Sequence, residues 1–312
     1  MIFDAHCDTI FELCEQDKKL NKNNLHLDIE RMREYDTYIQ VFAAFIDKKS
    51  IKVPPIKHCL SLIEKYHNEI SENKDIISAI TTAEDLVAAK EKGGVYSILS
   101  IEGGEALQGD LNALSMYYKM GVRLITLTWN YANELADGVM DARGAGLTEF
   151  GKNAVKTMEK MGILVDVSHI CEKGFWDVEE ITKYPFIASH SCVKALCSHP
   201  RNLSDEQIKA MIKRKCGIGI NFYPEFLDNS GVCKTERIVD HIEYILQLGG
   251  ESVIGLGSDF DGVSGLPSDM NGIEDMTNLF NIMKNRGIDE EIIKNIKFEN
   301  FYRLFYDTLK RI

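Results

Sequence analysis

Residues 152–169 read KNAVKTMEKMGILVDVSH, and the fold follows from how this stretch divides. Up to Gly162 it has the spacing of a helix closed by a terminal glycine. The apolar run behind it reads as a buried strand whose last residues include Asp166 and His169. The same helix, glycine, strand design returns in LNALSMYYKMG (111–121), SDEQIKAMIKRKCG (204–217) and ERIVDHIEYILQLGG (236–250), where Ile238, Ile242, Ile245 and Leu246 form one buried stripe.

Outward from this unit, eight apolar or β-branched runs can be counted: MIFDAH (1–6), TYIQVFAAFI (37–46), GVYSILSIEGG (94–104), GVRLITLTWN (121–130), GILVDVSH (162–169), PFIASHS (185–191), CGIGINFY (216–223) and SVIGLGSDFDG (252–262). Strands that alternate with helices make parallel βα units, and near-continuous apolar strands are buried on both faces. Eight such units predict an α/β fold, a closed (β/α)8 TIM barrel. An open doubly wound sheet is the rival, disfavoured because no GxGxxG joins the first strand to its helix. Barrels use about 250 residues as one unit, so the 312 residues are expected to form a single domain, 1–312. The segment 47–94 exceeds an ordinary connection and reads as an elaborated crossover, with a helix around IKHCLSLIEKYHNEI (56–70), a short strand at IISAI (76–80) and a helix at AEDLVAAKEK (83–92).

Composition narrows the function classes. A formal charge of -12 argues against a nucleic-acid or anionic-membrane surface, and much of the acidity belongs to solvated helix faces such as DEEIIKNIKFEN (289–300). No apolar run approaches the roughly 18 to 20 residues that cross a bilayer. The opening MIFDAHCDT lacks the basic and long apolar regions of a signal peptide. The eight cysteines are scattered without a CxxC, which suits reduced thiols and a cytoplasmic protein. The stretch VPPIKHCLSLIEKY (53–66) could serve a homodimer face, with nothing to separate that from ordinary packing.

In such a barrel the chemistry sits at the carboxyl ends of the strands. Those ends carry His6 and Asp8, Glu102, Asp166 and His169, His190, and Asp259 and Asp261, whereas His58, His67 and His241 lie in helical stretches, His26 in a loop, and His199 is undecided. His6 and Asp8 project to one side of a strand with Cys7 opposite, a chelating arrangement, although a lone pair of this kind is as readily a cap or a hydrogen-bonded core histidine. Imidazoles and carboxylates together suit Zn²⁺ or a similar divalent ion. Five ligands (His6, Asp8, Glu102, His169, His190) exceed one tetrahedral site, and a bridging Glu102 would divide them between two ions, one with His6 and Asp8 and the other with His169 and His190. Two such ions activate a shared hydroxide, the centre of a hydrolase.

At these residues a resemblance becomes specific. DAHCDT (4–9), SIEGGEAL (100–107), LVDVSH (164–169), IASHS (187–191), HPRNLSD (199–205), GINFY (219–223) and GSDFDGV (257–263) stand in the order and spacing of the membrane dipeptidase (renal dipeptidase-like) zinc peptidases, and the likeness runs from residue 3 to ENFYRLF (299–305). The resemblance implies a metal-dependent hydrolase barrel with two zinc ions bridged by Glu102 and held by His6, Asp8, His169 and His190. It implies that Arg201 takes the dipeptide's terminal carboxylate, that Asp259 shuttles the proton, and that Tyr223 lies along the substrate pocket. It also implies a metal-bridging hydroxide that splits dipeptides, with a D residue accepted at the carboxyl end. One position departs from the family: where members often carry a histidine thought to polarise the substrate carbonyl, ITLTWNYANELADG (125–138) has Trp129, which cannot become a cation, so Asn130 or Asn133 would have to substitute. Two rivals stand beside this reading. One is another amidohydrolase-type enzyme, a deacylase or deaminase, disfavoured because such barrels often open with HxH and bridge through a modified lysine. The other is a metal-binding homologue that has lost catalysis. A serine hydrolase is disfavoured by the absence of a GxSxG elbow.

Overall fold

The structure, a computed structural model, describes residues 1–47, 49 and 51–311; positions 48 and 50 of the expected crossover and the last residue lie outside it. Nine parallel strands occur among the described residues: β1 (Ile2–Cys7), β2 (Thr37–Phe45), β3 (Ile77–Ala79), β4 (Gly94–Glu102), β5 (Val122–Thr126), β6 (Leu164–Asp166), β7 (Ile187–Ser191), β8 (Gly217–Ile220) and β9 (Ile254–Leu256). They pair in the order β2-β1-β9-β8-β7-β6-β5-β4, and β2 also pairs with β4 along its whole length, so eight strands close into the (β/α)8 barrel. The ninth, β3, pairs Ile77–Ala79 with Val95–Ser97 at the start of β4, where β5 has not yet begun. It is therefore a patch on the amino-terminal end of the barrel. The helices Pro55–Glu72 and Ala83–Lys92 flank it.

The decisive stretch folds as its pattern requires. The helix Glu149–Lys160 starts at Thr148, whose hydroxyl accepts the Gly151 N–H, and turns its apolar residues Ala154, Val155 and Met158 into the core. Gly162 then takes φ 64°, a conformation that costs a side-chain-bearing residue energy, and the chain enters β6. The strands are shorter than the apolar runs: β6 stops at Asp166 and β9 at Leu256, so His169, Asp259 and Asp261 sit beyond the ladder on irregular backbone. All three take positive φ (66°, 62° and 67°), a region other than glycine rarely occupies. Such conformations persist only where surrounding contacts over-determine them.

The barrel floor is filled from the carboxyl-terminal end of the chain. Phe298, Phe301, Leu304 and Phe305 pack with Phe3, Ile39, Ile98, Leu124, Leu164 and Ile187, and the Phe3 and Phe305 rings are 4.9 Å apart. A Cβ at Gly255 would collide with the Phe301 ring, which accounts for glycine there. The carboxylates and imidazoles of the strand ends gather at the opposite end. Strict alternation from Phe3 and Ala5 would turn His6 outward, but a register shift between Asp4 and Cys7 breaks the period and turns His6 inward.

Candidate functional site

At the carboxyl ends of the strands a cavity of about 490 Å³ opens above a buried polar cluster. Its floor is built from five strand ends. His6 Nε2 lies 3.4 Å from Asp8 Oδ2, 3.4 Å from Glu102 Oε2 and 3.7 Å from Asp259 Oδ1. The other Glu102 oxygen, Oε1, lies 2.9 Å from His169 Nε2 and 3.5 Å from His190 Nε2. Glu102 therefore offers one oxygen to each half of the cluster. The donor atoms of His6, Glu102 and His190, and those of His6, Asp8 and Asp259, lie within 4.8 Å of one another. These trios overlap with the expected ligand sets without coinciding with them: His169 belongs to neither, and Asp259 joins the second.

Second partners orient the rings. His169 Nδ1 is 2.8 Å from Asn130 Oδ1, an acceptor only, so that nitrogen carries the proton. Ser189 Oγ donates to Asp166 Oδ2 at 2.5 Å and so accepts from His190 Nδ1 at 2.7 Å. Both imidazoles consequently aim an unprotonated Nε2 into the cluster, the state that binds metals. Burial holds the His169 pKa down at about 3, with Arg201 as the next cause, and burial followed by repulsion from His6 keeps His190 well below its ordinary value. Burial raises Asp8 to about 7, reinforced by Glu102, and raises Asp259 as well. Carboxylates lifted by burial and by one another are an electrostatic demand for a cation. Both ring nitrogens of His6 and Oδ1 of Asp8 are buried without a hydrogen-bond partner. The donor set and its orphaned atoms fit a divalent metal.

Around the cluster the other expected residues take definite places. Asp259 Oδ2 accepts from Asn221 Nδ2 at 2.7 Å. Arg201 is buried; it donates to the His190 carbonyl at 3.0 Å, its Nε has no partner, and among the described residues no carboxylate lies within 4.0 Å of its guanidinium. A buried guanidinium without a counter-ion is costly unless a ligand supplies one. Tyr223 lines the cavity, its hydroxyl 3.1 Å from Ser264 Oγ, and Trp129 lines it from the far side.

Some strand-end residues stand elsewhere. Asp166 lies behind the cluster, accepting from Thr126, Ser189 and the Ser168 N–H. Asp261 holds a loop, accepting from Thr9 Oγ1 at 2.6 Å and the His26 N–H at 2.7 Å. Asn133 cannot replace the family histidine, because its amide is committed to the Leu127 carbonyl and the Leu135 N–H. The sequence reading missed Ser189, Asn221 and Gly262; a Cβ at Gly262 would strike Asp8 Oδ2 and Asp259 Oδ1. It left His199 undecided, and His199 lines the cavity with Nδ1 accepting the Arg201 N–H.

A closed parallel barrel with this cluster at its carboxyl end is the architecture of a metal-dependent hydrolase. A model of the membrane dipeptidase family, peptidase family M19, matches residues 1–310. A metallopeptidase from Rhodobacter sphaeroides, solved with a phosphinate mimic of the dipeptide L-Ala-D-Ala, superposes with a TM-score of 0.90 at 25% identity, over 98% of this chain and 99% of that one. The M19 dipeptidase AC gives 0.90 at 25% identity over 99% and 98%. An uncharacterised protein of Klebsiella pneumoniae is 33% identical over 233 residues, 72% of this chain and 86% of that protein. The chain belongs to the membrane dipeptidase family and is a metallo-dipeptidase, a hydrolase of peptide bonds that uses divalent metal. Despite the family's name, no helix among the described residues is long and apolar enough to cross a membrane.

Proposed function

We propose that the protein splits dipeptides at a centre of two divalent ions, zinc foremost, held by His6, Asp8, Glu102, His169 and His190 with Glu102 shared between them. The observation that carries this reading is the division of Glu102, whose two oxygens face opposite histidines at 3.4 Å and 2.9 Å. Such a pair, when bound, supplies Lewis acidity: it lowers the pKa of a shared water and polarises the scissile carbonyl.

The chain's own residues supply the rest. Arg201 receives the substrate's terminal carboxylate, an anion suited to its forked donors and missing from its present surroundings. Asp259, its pKa raised by burial and its second oxygen tethered by Asn221, holds a proton within reach of the cluster and hands it to the leaving amine. Ser189 and Asn130 keep the His190 and His169 rings in their binding orientation. Tyr223 flanks the carboxylate end of the cavity.

The mimic bound by the Rhodobacter relative supports acceptance of a D residue at the carboxyl end. The eight unpaired thiols support a cytoplasmic setting. The test is a cleavage assay of the metal-loaded protein on L-Ala-L-Ala and L-Ala-D-Ala. Release of free alanine from the D-containing substrate is expected; inertness toward both would refute the reading.

A further inference from the structure

We propose that the face of the cavity opposite Arg201 is a side-chain pocket that selects dipeptides with a bulky apolar residue at the amino end, and that Trp129 determines this specificity. The inference rests on the carboxylate-binding role given to Arg201 above.

Strand order fixes the geometry. In the ring β1, β2, β4, β5, β6, β7, β8, β9, the strand that ends at Phe45 (β2) is diametrically opposite β7, whose loop carries Arg201. The polar cluster lies between them. A dipeptide anchored by its carboxylate on the β7 side, with its peptide bond over the cluster, projects its amino-terminal residue toward β2, and Trp129, in the loop after β5, flanks that side through its ring contact with Phe45.

That side carries an aromatic row, beside which Glu12 and Asp47 also line the cavity. Phe11, from the helix Thr9–Glu15, packs edge-on to Phe45 at 5.5 Å, and Phe45 packs edge-on to Trp129 at 5.3 Å. The indole stands 6.2 Å from the His169 ring, which ties the row to the cluster. Ile51 and Met140 also line the cavity, and Met140 is 50% exposed although apolar. Large apolar side chains left partly open along a cavity gain free energy when a ligand covers them. An indole cannot act as a cationic carbonyl polariser, but edge-on in an aromatic row it offers a broad, rigid surface to an apolar side chain.

The experiment measures kcat/KM of the metal-loaded protein on Gly-Ala, Leu-Ala, Phe-Ala, Lys-Ala and Asp-Ala, and repeats Gly-Ala and Phe-Ala with Trp129→Ala and Phe45→Ala. Leu-Ala and Phe-Ala are expected to exceed Gly-Ala by roughly tenfold or more, with Lys-Ala and Asp-Ala below them. Both variants should reduce the Phe-Ala to Gly-Ala ratio severalfold, and a ratio does not depend on how much of a variant folds. Calorimetry with phosphinate dipeptide mimics bearing benzyl or hydrogen at the amino-terminal side should show the same order in binding. Cleavage of the panel without apolar preference, or an unchanged ratio in both variants, would overturn this inference alone. No cleavage of any dipeptide would overturn the site reading beneath it as well.

Discussion

The Nε2 atoms of His169 and His190 lie 2.9 Å apart, although the Nδ1 of each ring is already engaged by Asn130 and Ser189. Two unprotonated nitrogens at that distance repel unless a cation sits against both. Their orientation is set by Asn130 and Ser189, which hold the Nδ1 side of each ring and are not themselves candidate ligands, so those supports are good places for mutation.

Ser189→Ala removes the acceptor for His190 Nδ1–H and leaves Asp166 short of a donor. Removal of such an outer partner typically costs 10- to 100-fold in metal affinity. A competition titration with a chelating dye should show a loss of about that size, with the circular dichroism spectrum unchanged; wild-type affinity would remove Ser189 from the account.

Arg201→Lys keeps the charge but loses the planar fork. KM for a simple dipeptide should rise by about 10- to 100-fold with a smaller change in kcat, because the anchor acts on ground state and transition state alike. An N-terminally intact dipeptide amide, which lacks the carboxylate, should be a poor substrate of the wild type and lose little more in the variant. A variant that lowers kcat with KM unchanged would place Arg201 at the reacting bond instead.

Gly262→Ala would push a methyl group against the Asp8 and Asp259 carboxylates. The expected outcome is a fall in bound metal and a drop in kcat/KM of about 100-fold or more, since displacement of a reacting group by about an ångström has that effect. Full metal occupancy with wild-type turnover would show that the loop yields to the methyl group.

His241 gives a pH test remote from the metal cluster. In the helix Glu236–Gln247 it is buried, its Nδ1 accepting the Val193 N–H at 3.0 Å and its Nε2 donating to the Leu227 carbonyl at 2.9 Å, so the fold requires it neutral. Burial lowers its pKa to about 4. Below an unfolded value of about 6.5 the unfolded chain binds the proton first, so its contribution is full above that pH and is lost as pH falls toward 4, about 3 kcal/mol in all. Urea unfolding between pH 7 and 4 should show a steeper loss for the wild type than for His241→Gln; equal slopes would contradict the linkage.

How much of this was legible in the sequence depends on the range of the contacts involved. Helix, glycine and strand repeat locally, so the eight barrel strands and the extra strand at Ile77–Ala79 could be read from spacing alone. That His6, Asp8, Glu102, His169 and His190 would meet was legible because a barrel brings strand ends together whatever lies between them. The bulge that turns His6 inward was not legible, since it depends on register with β2. Asn130 and Asn221 act through partners 39 and 38 residues away, and Ser189 orients its neighbour His190 only because Asp166, 23 residues away, takes its proton, so nothing beside them in the chain marks those contacts. Asp166 and Asp261 carry the right chemistry at strand ends, yet nearby hydroxyls and N–H groups claim them. His241 could be placed in a helical stretch, outside the stripe of Ile238, Ile242, Ile245 and Leu246, but its two partners, Val193 and Leu227, belong to other segments that nothing in its own helix points to.

The most direct measurement is anomalous diffraction at the zinc edge on zinc-loaded crystals of the wild type and of Glu102→Gln. Two peaks per chain, one on the His6 and Asp8 side of Glu102 and one on the His169 and His190 side, both weakened in the variant, is the predicted result. A single peak, or two peaks of undiminished height in Glu102→Gln, would contradict the shared carboxylate on which the account depends.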